Sequence, residues 1–237
     1  ISEGLVGSEM CIRDRINFVS LILNIETSTT NCSVSISEKE EIIASQEKDF
    51  EHYSHSEVLH VYITELFRKS DLEINDITAV SISEGPGSYT GLRIGSATAK
   101  GICFALKIPL IAIDTMDILA KKVKLPKGYI IPNIDAGRNE IYFSVYNRTY
   151  QKIQATNFKE LKTKSFEKYL NSELVHFIGN ANNKLKIFLN SDNAIYSKKE
   201  LPSSLEMASL SFEKFSKNQF VDIEYFEPNY LKNFFKK

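Results

Sequence analysis

From Val19 onward, apolar and polar residues divide the chain into short strands and amphipathic helices. Leu21-Ile22-Leu23-Asn24-Ile25 is a short, mostly apolar run, as expected of a strand buried on both faces. Residues 32–36 alternate, 37–40 supply a polar turn, and 41–46 complete a predicted three-stranded meander. A helix follows over 55–70, with Val58, Leu59, Tyr62, Ile63, Leu66 and Phe67 spaced along one face. Ser54 and Glu57 have the spacing of a capping box at its start. Residues 77–83 read as a strand that Gly85-Pro86-Gly87 interrupts. A second helix over 89–106 and a strand over 108–113 complete the order β-β-β-α-β-α-β, which predicts an α/β lobe of the ribonuclease H type.

The pattern then recurs. A shift of 109 positions lays LILNIETSTTNCSVSI (21–36) on IIPNIDAGRNEIYFSV (130–145) without a gap. Asn24 falls on Asn133, Glu26 on Asp135 and Ser35 on Ser144, so a duplicated lobe with a cleft between the copies is predicted, over 18–117 and 118–237. The second copy has predicted strands at 130–134, 140–145, 151–155 and 174–178, and helical stretches at 165–170, 182–189 and 204–216. Tyr225, Phe226 and Tyr230 flank Pro228 in the tail, which is expected to pack back on the body. Residues 1–17 show neither period and no signal-peptide core, and 5–15 resemble translated sequencing-adaptor text; a non-native or disordered leader is expected there.

Composition narrows the class. With 237 residues, 43% hydrophobic and 25% charged, the chain is long enough for two lobes and is neither disordered nor collagen-like. Three cysteines (Cys11, Cys32, Cys103) cannot staple a chain of this size and match no metal spacing, so reduced thiols and a cytoplasmic location are expected. No apolar run reaches membrane-spanning length. The net charge of −1 conceals a split: residues 1–117 carry 9 basic and 18 acidic side chains, and 118–237 carry 20 and 12. Lys162, Lys164 and Lys168 lie near Phe166 and Tyr169, a basic and aromatic run that fits either RNA contact or a solvated face.

The chemistry is less definite. His55 and His60 are five residues apart, about 140° around a helix, so they do not form a metal pair. His176, on an apolar strand, reads as half-buried. Glu26 and Asp135 sit at the two predicted hairpin turns, where a kinase or ATPase of this architecture, or a peptidase, would use cleft acids. The turns lack the glycines of a phosphate cradle, and Gly179-Asn180 is at most a remnant of one. The Gly85-Pro86-Gly87-Ser88 turn either binds an anion at a helix start or rigidly aims the helix. Arg93, in the first helical turn, calls for a carboxylate or phosphate partner. Gly91, Gly95 and Ala99 form a small-residue stripe that either packs within the lobe or receives a partner helix.

Several of these residues carry a resemblance. Gly85-Pro86-Gly87-Ser88-Tyr89-Thr90-Gly91-Leu92-Arg93-Ile94-Gly95 resembles the TsaB (YeaZ) family. So do Ile25-Glu26-Thr27-Ser28, Tyr53-Ser54-His55-Ser56-Glu57, Asp135-Ala136-Gly137-Arg138 and Phe226-Glu227-Pro228-Asn229-Tyr230-Leu231. The resemblance implies a duplicated ribonuclease H-like, actin-like (ASKHA) two-lobed fold. It also implies a non-catalytic subunit of the complex that transfers threonylcarbamoyl to N6 of the adenosine beside the tRNA anticodon. Such a subunit would dimerise with and support a TsaD-like catalytic paralogue, which carries the metal, and a TsaE-like ATPase would join them. Alone it would form a homodimer, and tRNA contact would run through the complex. No cofactor or metal is expected in the subunit itself, with weak or junctional ATP or ADP left open. Leu59, Tyr62, Ile63 and Phe67, with Gly91, Gly95 and Ala99, are the candidate partner surface. His55, Gly85, Gly87, Ser88, Thr90 and Arg93 are candidate anion or junction contacts. The alternative is an actin-like enzyme using Glu26 and Asp135.

Overall fold

The computed structural model describes residues 20–52, 54–124, 127–198 and 201–232. The expected leader over 1–17, Cys11 and Tyr53 lie outside the described residues. Two five-stranded sheets follow one plan. The first comprises β1 (Leu21–Glu26), β2 (Asn31–Glu38), β3 (Glu41–Asp49), β4 (Ala79–Gly85) and β5 (Leu110–Asp114), in the order β3-β2-β1-β4-β5. The second comprises β6 (Tyr129–Asp135), β7 (Glu140–Tyr146), β8 (Lys152–Glu160), β9 (Val175–Gly179) and β10 (Ala194–Tyr196), in the order β10-β9-β6-β7-β8. In each sheet the leading strand pairs antiparallel with the next and parallel with the fourth. The duplication extends to side chains. Asn24 and Asn133 are both buried, and each donates to the carbonyl two residues earlier, Ile22 at 3.4 Å and Ile131 at 3.3 Å.

Strand period decides which face takes what. Leu23, Ile25, Cys32, Val34, Ile36, Val80 and Ile82 face one core, covered by α1 (His55–Ser70) and α2 (Tyr89–Leu106). The intervening residues present Asn24, Ser33, Ser35, Ser37 and Ser81 to the opposite face. The alternation of β2 reads as a wet face, yet these serines are buried beneath α6 (Ser204–Ser216). Asn24 Oδ1 accepts from Ser81 at 2.6 Å and from Ser211 of α6 at 2.8 Å, and Ser33 Oγ lies 2.8 Å from Ser204 Oγ. Hydroxyls satisfied by hydroxyls replace the solvent. Thus α6, although it follows residue 118, packs on the first sheet, and Val221 after it bridges to Leu110.

A helix absent from the sequence expectation, α3 (Thr115–Lys121), lies between the sheets: Ile118 packs with Ile22, Ile111 and Met207 on the α6 side of the first sheet, and Met116, Leu119 and Ala120 pack with Ile130, Ile134 and Ile178 of the second. Asp114 caps it by accepting from the Met116 amide at 2.8 Å. Its other carboxyl oxygen accepts from Lys152 at 2.7 Å and Thr156 at 2.5 Å, which ties the lobes together. On the outer face of the second sheet, α4 (Glu167–Leu170) and α5 (Asn182–Phe188) cover Phe143, Val175 and Phe177. The capping box at α1 does not form: Ser54 makes no side-chain cap and its hydroxyl donates to His52 O at 3.3 Å. Ser88 does cap α2, accepting from the Gly91 amide. No described helix is long and apolar enough to cross a membrane.

Candidate functional site

The two repeat-related turns face each other across a cleft of about 630 Å³, lined by Ser28 and Thr29, by Gly87 to Thr90, by Ile134 to Gly137, and by Tyr142 and Asn180. The two candidate acids differ sharply there. Glu26 is fully buried beneath its turn and does not line the cleft. Its Oε1 accepts from the Ser28 amide at 2.6 Å. Burial pushes its carboxyl up to about 7, with the Ser28 and Ser83 hydroxyls, the Ser28 amide and Lys122 opposing the rise. Asp135 does line the cleft, but its Oδ1 accepts from the Gly137 amide at 2.7 Å and pairs with Lys184 at 2.6 Å. The pairing of both acids in one open cleft, which the enzyme alternative needs, is therefore not what the fold builds.

Several groups that a phosphate cradle would use are engaged within the chain. A Cβ on Gly87 would overlap Ser28, so this glycine allows the 85–88 turn to touch the turn after Glu26 and Ser88 N–H to donate to Ser28 O at 2.7 Å. Gly137 is open at φ +81°, but its amide is already engaged by Asp135. Gly179 is buried against the Asn133 carbonyl, and Asn180 Oδ1 accepts from the Asp135 amide at 2.8 Å, so neither acts as an adenosine loop. Among the described residues no group of three or more His, Cys, Asp or Glu side chains is placed to hold a metal.

Of the candidate anion contacts, Gly87, Ser88 and Thr90 line the cleft. His55 and Gly85 lie beneath it. His55 is buried, its Nε2 is 2.7 Å from Thr29 O, and burial lowers its pKa against the pull of that carbonyl. Gly85, at φ +106°, backs onto Asn229 O and Leu92. Arg93 finds aromatic rings in place of the expected anion. Its guanidinium sits 4.1 Å over Tyr89, and Nε donates to the Tyr230 hydroxyl at 3.3 Å. Tyr230 packs on Tyr89 with ring centroids 4.9 Å apart, Asn229 N–H donates to Glu84 O at 2.7 Å, and Lys232 bonds the Glu140 carboxylate. The tail thus straps both lobes beside the cleft, although Tyr225 is exposed.

The candidate partner surface needs correction. Leu59, Ile63 and Phe67 are buried in the chain's own core, with Tyr62 half-buried against it. Gly91, Gly95 and Ala99 are buried as well: a Cβ on Gly91 would strike Thr27 O, and one on Gly95 would strike Thr27 Oγ1 and come within 2.9 Å of Ile82. The stripe seats α2 on its own sheet, so none of these six buried residues is free to meet a partner. Exposed apolar side chains lie instead on the outward sides of the same helices. Val61 is 51% exposed and Phe104 is 81% exposed. Val61, with His60, Thr64 and Arg68, lines a groove of about 380 Å³ on α1. Phe104 could have been found from helical period, since it falls on the face of Ala97 and Gly101, opposite the buried stripe.

The profile of the family described as TsaD, tRNA N6-adenosine threonylcarbamoyltransferase, matches residues 42–212, well over half of the chain. The tRNA threonylcarbamoyladenosine biosynthesis protein TsaB of Buchnera aphidicola subsp. Acyrthosiphon pisum is 32% identical over 144 residues, 60% of this chain and 64% of that protein. The Escherichia coli TsaB is 25% identical over 227 residues, 90% and 94% of the two chains. The chain belongs to the TsaB (YeaZ) family. In four of the TsaB relatives the match spans between 52% and 64% of their length. The TsaB fold is seen in YeaZ from Pseudomonas aeruginosa, which superposes with a TM-score of 0.73 at 22% identity, covering 90% of this chain and all of that one.

Proposed function

We propose that this chain is a partner subunit in the formation of threonylcarbamoyladenosine on tRNA, supporting a TsaD-type transferase and not performing the transfer itself. The observation that carries the reading is the exposure of apolar side chains on the outward sides of both helices, Phe104 of α2 at 81% and Val61 of α1 at 51%. A phenylalanine this exposed is what a monomer buries on pairing. The relatives' names supply the process, and the buried Glu26 and lysine-bound Asp135 favour a supporting role over a catalytic one. In this reading the outward helix faces pair with a second copy when the chain is alone and with the TsaD-type subunit when that is present. A TsaE-type ATPase joins the pair, and any ATP or ADP sits at a subunit junction and not in the cleft.

The test is reconstitution. Modification of tRNA by the TsaD-type transferase, supplied with the activated threonylcarbamoyl donor and the TsaE-type ATPase, should depend on this chain. It should be lost with Phe104→Asp and retained with Asp135→Asn. Modification that survives Phe104→Asp but fails with Asp135→Asn would replace the scaffold reading with a catalytic one.

A further inference from the structure

A second concave feature shares none of the cleft's lining residues. Between the edge strand β8 and α4 is a hollow of about 300 Å³, lined by Lys159, Lys164 and Lys168 with Glu167 as its one acid. Elsewhere lysines are matched by carboxylates: Lys152 binds Asp114, Lys184 binds Asp135, and Lys232 binds Glu140. The three lysines of the hollow take part in no ion pair among the described residues, and Lys164 and Lys168 are exposed. Lys159 Nζ lies over the Phe166 ring at 5.0 Å and Lys168 Nζ over Tyr169 at 5.7 Å, cation–π contacts that leave both ammonium groups without a carboxylate.

The segment presenting them is pinned. Leu161, Phe166 and Leu170 are buried, and Ser165 Oγ accepts from the Lys162 amide at 2.9 Å. Phe166 adopts φ +62°, a left-handed conformation that side-chain-bearing residues rarely take. That conformation lets its ring pack edge-on between Phe143 and Phe177, at 5.1 and 5.6 Å. This left-handed, ring-packed residue fixes the backbone from which Lys164 and Lys168 project.

We propose that this hollow docks the phosphate backbone of RNA, holding a tRNA against the second lobe. The charge is complementary, the backbone that presents the lysines is held by buried side chains, and the lobe carries the chain's basic excess. The choice of RNA over another polyanion rests on the proposed role in tRNA modification.

The experiment is fluorescence anisotropy of labelled tRNA with the full chain, across a salt series. Wild type should bind with a clear salt slope. Lys159→Gln/Lys164→Gln/Lys168→Gln should weaken binding about tenfold at low salt and reduce the log–log slope by about two. Lys39→Gln/Lys48→Gln/Lys107→Gln on the first lobe removes the same charge and should change little. The single Lys164→Glu, at an exposed position with no ring contact, should weaken binding several-fold even if the triple variant proves poorly folded. Equal weakening by both triple variants, an unchanged slope, or no salt-dependent binding by wild type would overturn the proposal. Because the assay uses this chain alone, failure here leaves the pairing with a transferase standing or falling on its own test.

Discussion

Glu26 offers the sharpest energetic test of the fold. Its carboxyl goes from an ordinary value of 4.5 to about 7 through burial, so between those pH values the native chain binds more protons than the unfolded one. Stability therefore falls as pH rises across this window; the contribution is fully present below 4.5 and lost once pH passes through 7. A pKa difference of that size corresponds to about 3 kcal/mol. Glu26→Gln keeps the shape and the acceptor for the Ser28 amide but cannot ionise. The variant should match wild type to within about 1 kcal/mol at pH 5 and exceed it by about 3 kcal/mol at pH 8. Urea unfolding followed by far-UV circular dichroism measures both, and other titrating groups are common to the two proteins. A stability gap that stays constant from pH 5 to pH 8 would refute the buried, proton-holding Glu26.

Gly95→Leu should destabilise the monomer by about 3 kcal/mol or more, because even the first carbon meets Thr27 Oγ1 and Ile82. A variant with unchanged urea midpoint would return the stripe to solvent. Phe104→Ser should leave the melting temperature within a degree or two and abolish self-association, which sedimentation velocity reads directly. Tyr230→Ala, which removes the ring against Tyr89 and the acceptor for Arg93, should lower the melting temperature by a few degrees and speed proteolysis of the tail. No change in either would show that the strap adds nothing. Cys32 and Cys103, buried and pushed up to about 12, should resist alkylation until the chain unfolds.

The repeat was the most legible feature, because Asn24 and Asn133 keep the same buried bond in both lobes and period two keeps them on the same face. The bounds of α1, α2 and α6 follow directly from their apolar stripes. What the sequence did not show depends on distant packing. Ser33, Ser35 and Ser37 alternate like a solvent face, and only the return of α6, some 170 residues later, buries them. The glycine stripe has one spacing whether it meets a sheet or a second chain, and Thr27 beneath it decides the matter. Glu26 and Asp135 share a register, yet one lies under its turn and the other opposes Lys184, a residue 49 positions away. Arg93 shows the same limit, since its ring partner Tyr230 is 137 positions downstream.

The central claim is that the outward faces of α1 and α2 form a partner surface. Size-exclusion chromatography with light scattering, on the chain alone and mixed with a TsaD-type protein from the same source, tests it most directly. The account predicts a species of twice the chain's mass that gives way to a one-to-one complex, with Phe104→Asp remaining a folded monomer in both samples. A wild-type chain that stays monomeric and ignores the TsaD-type protein would contradict it.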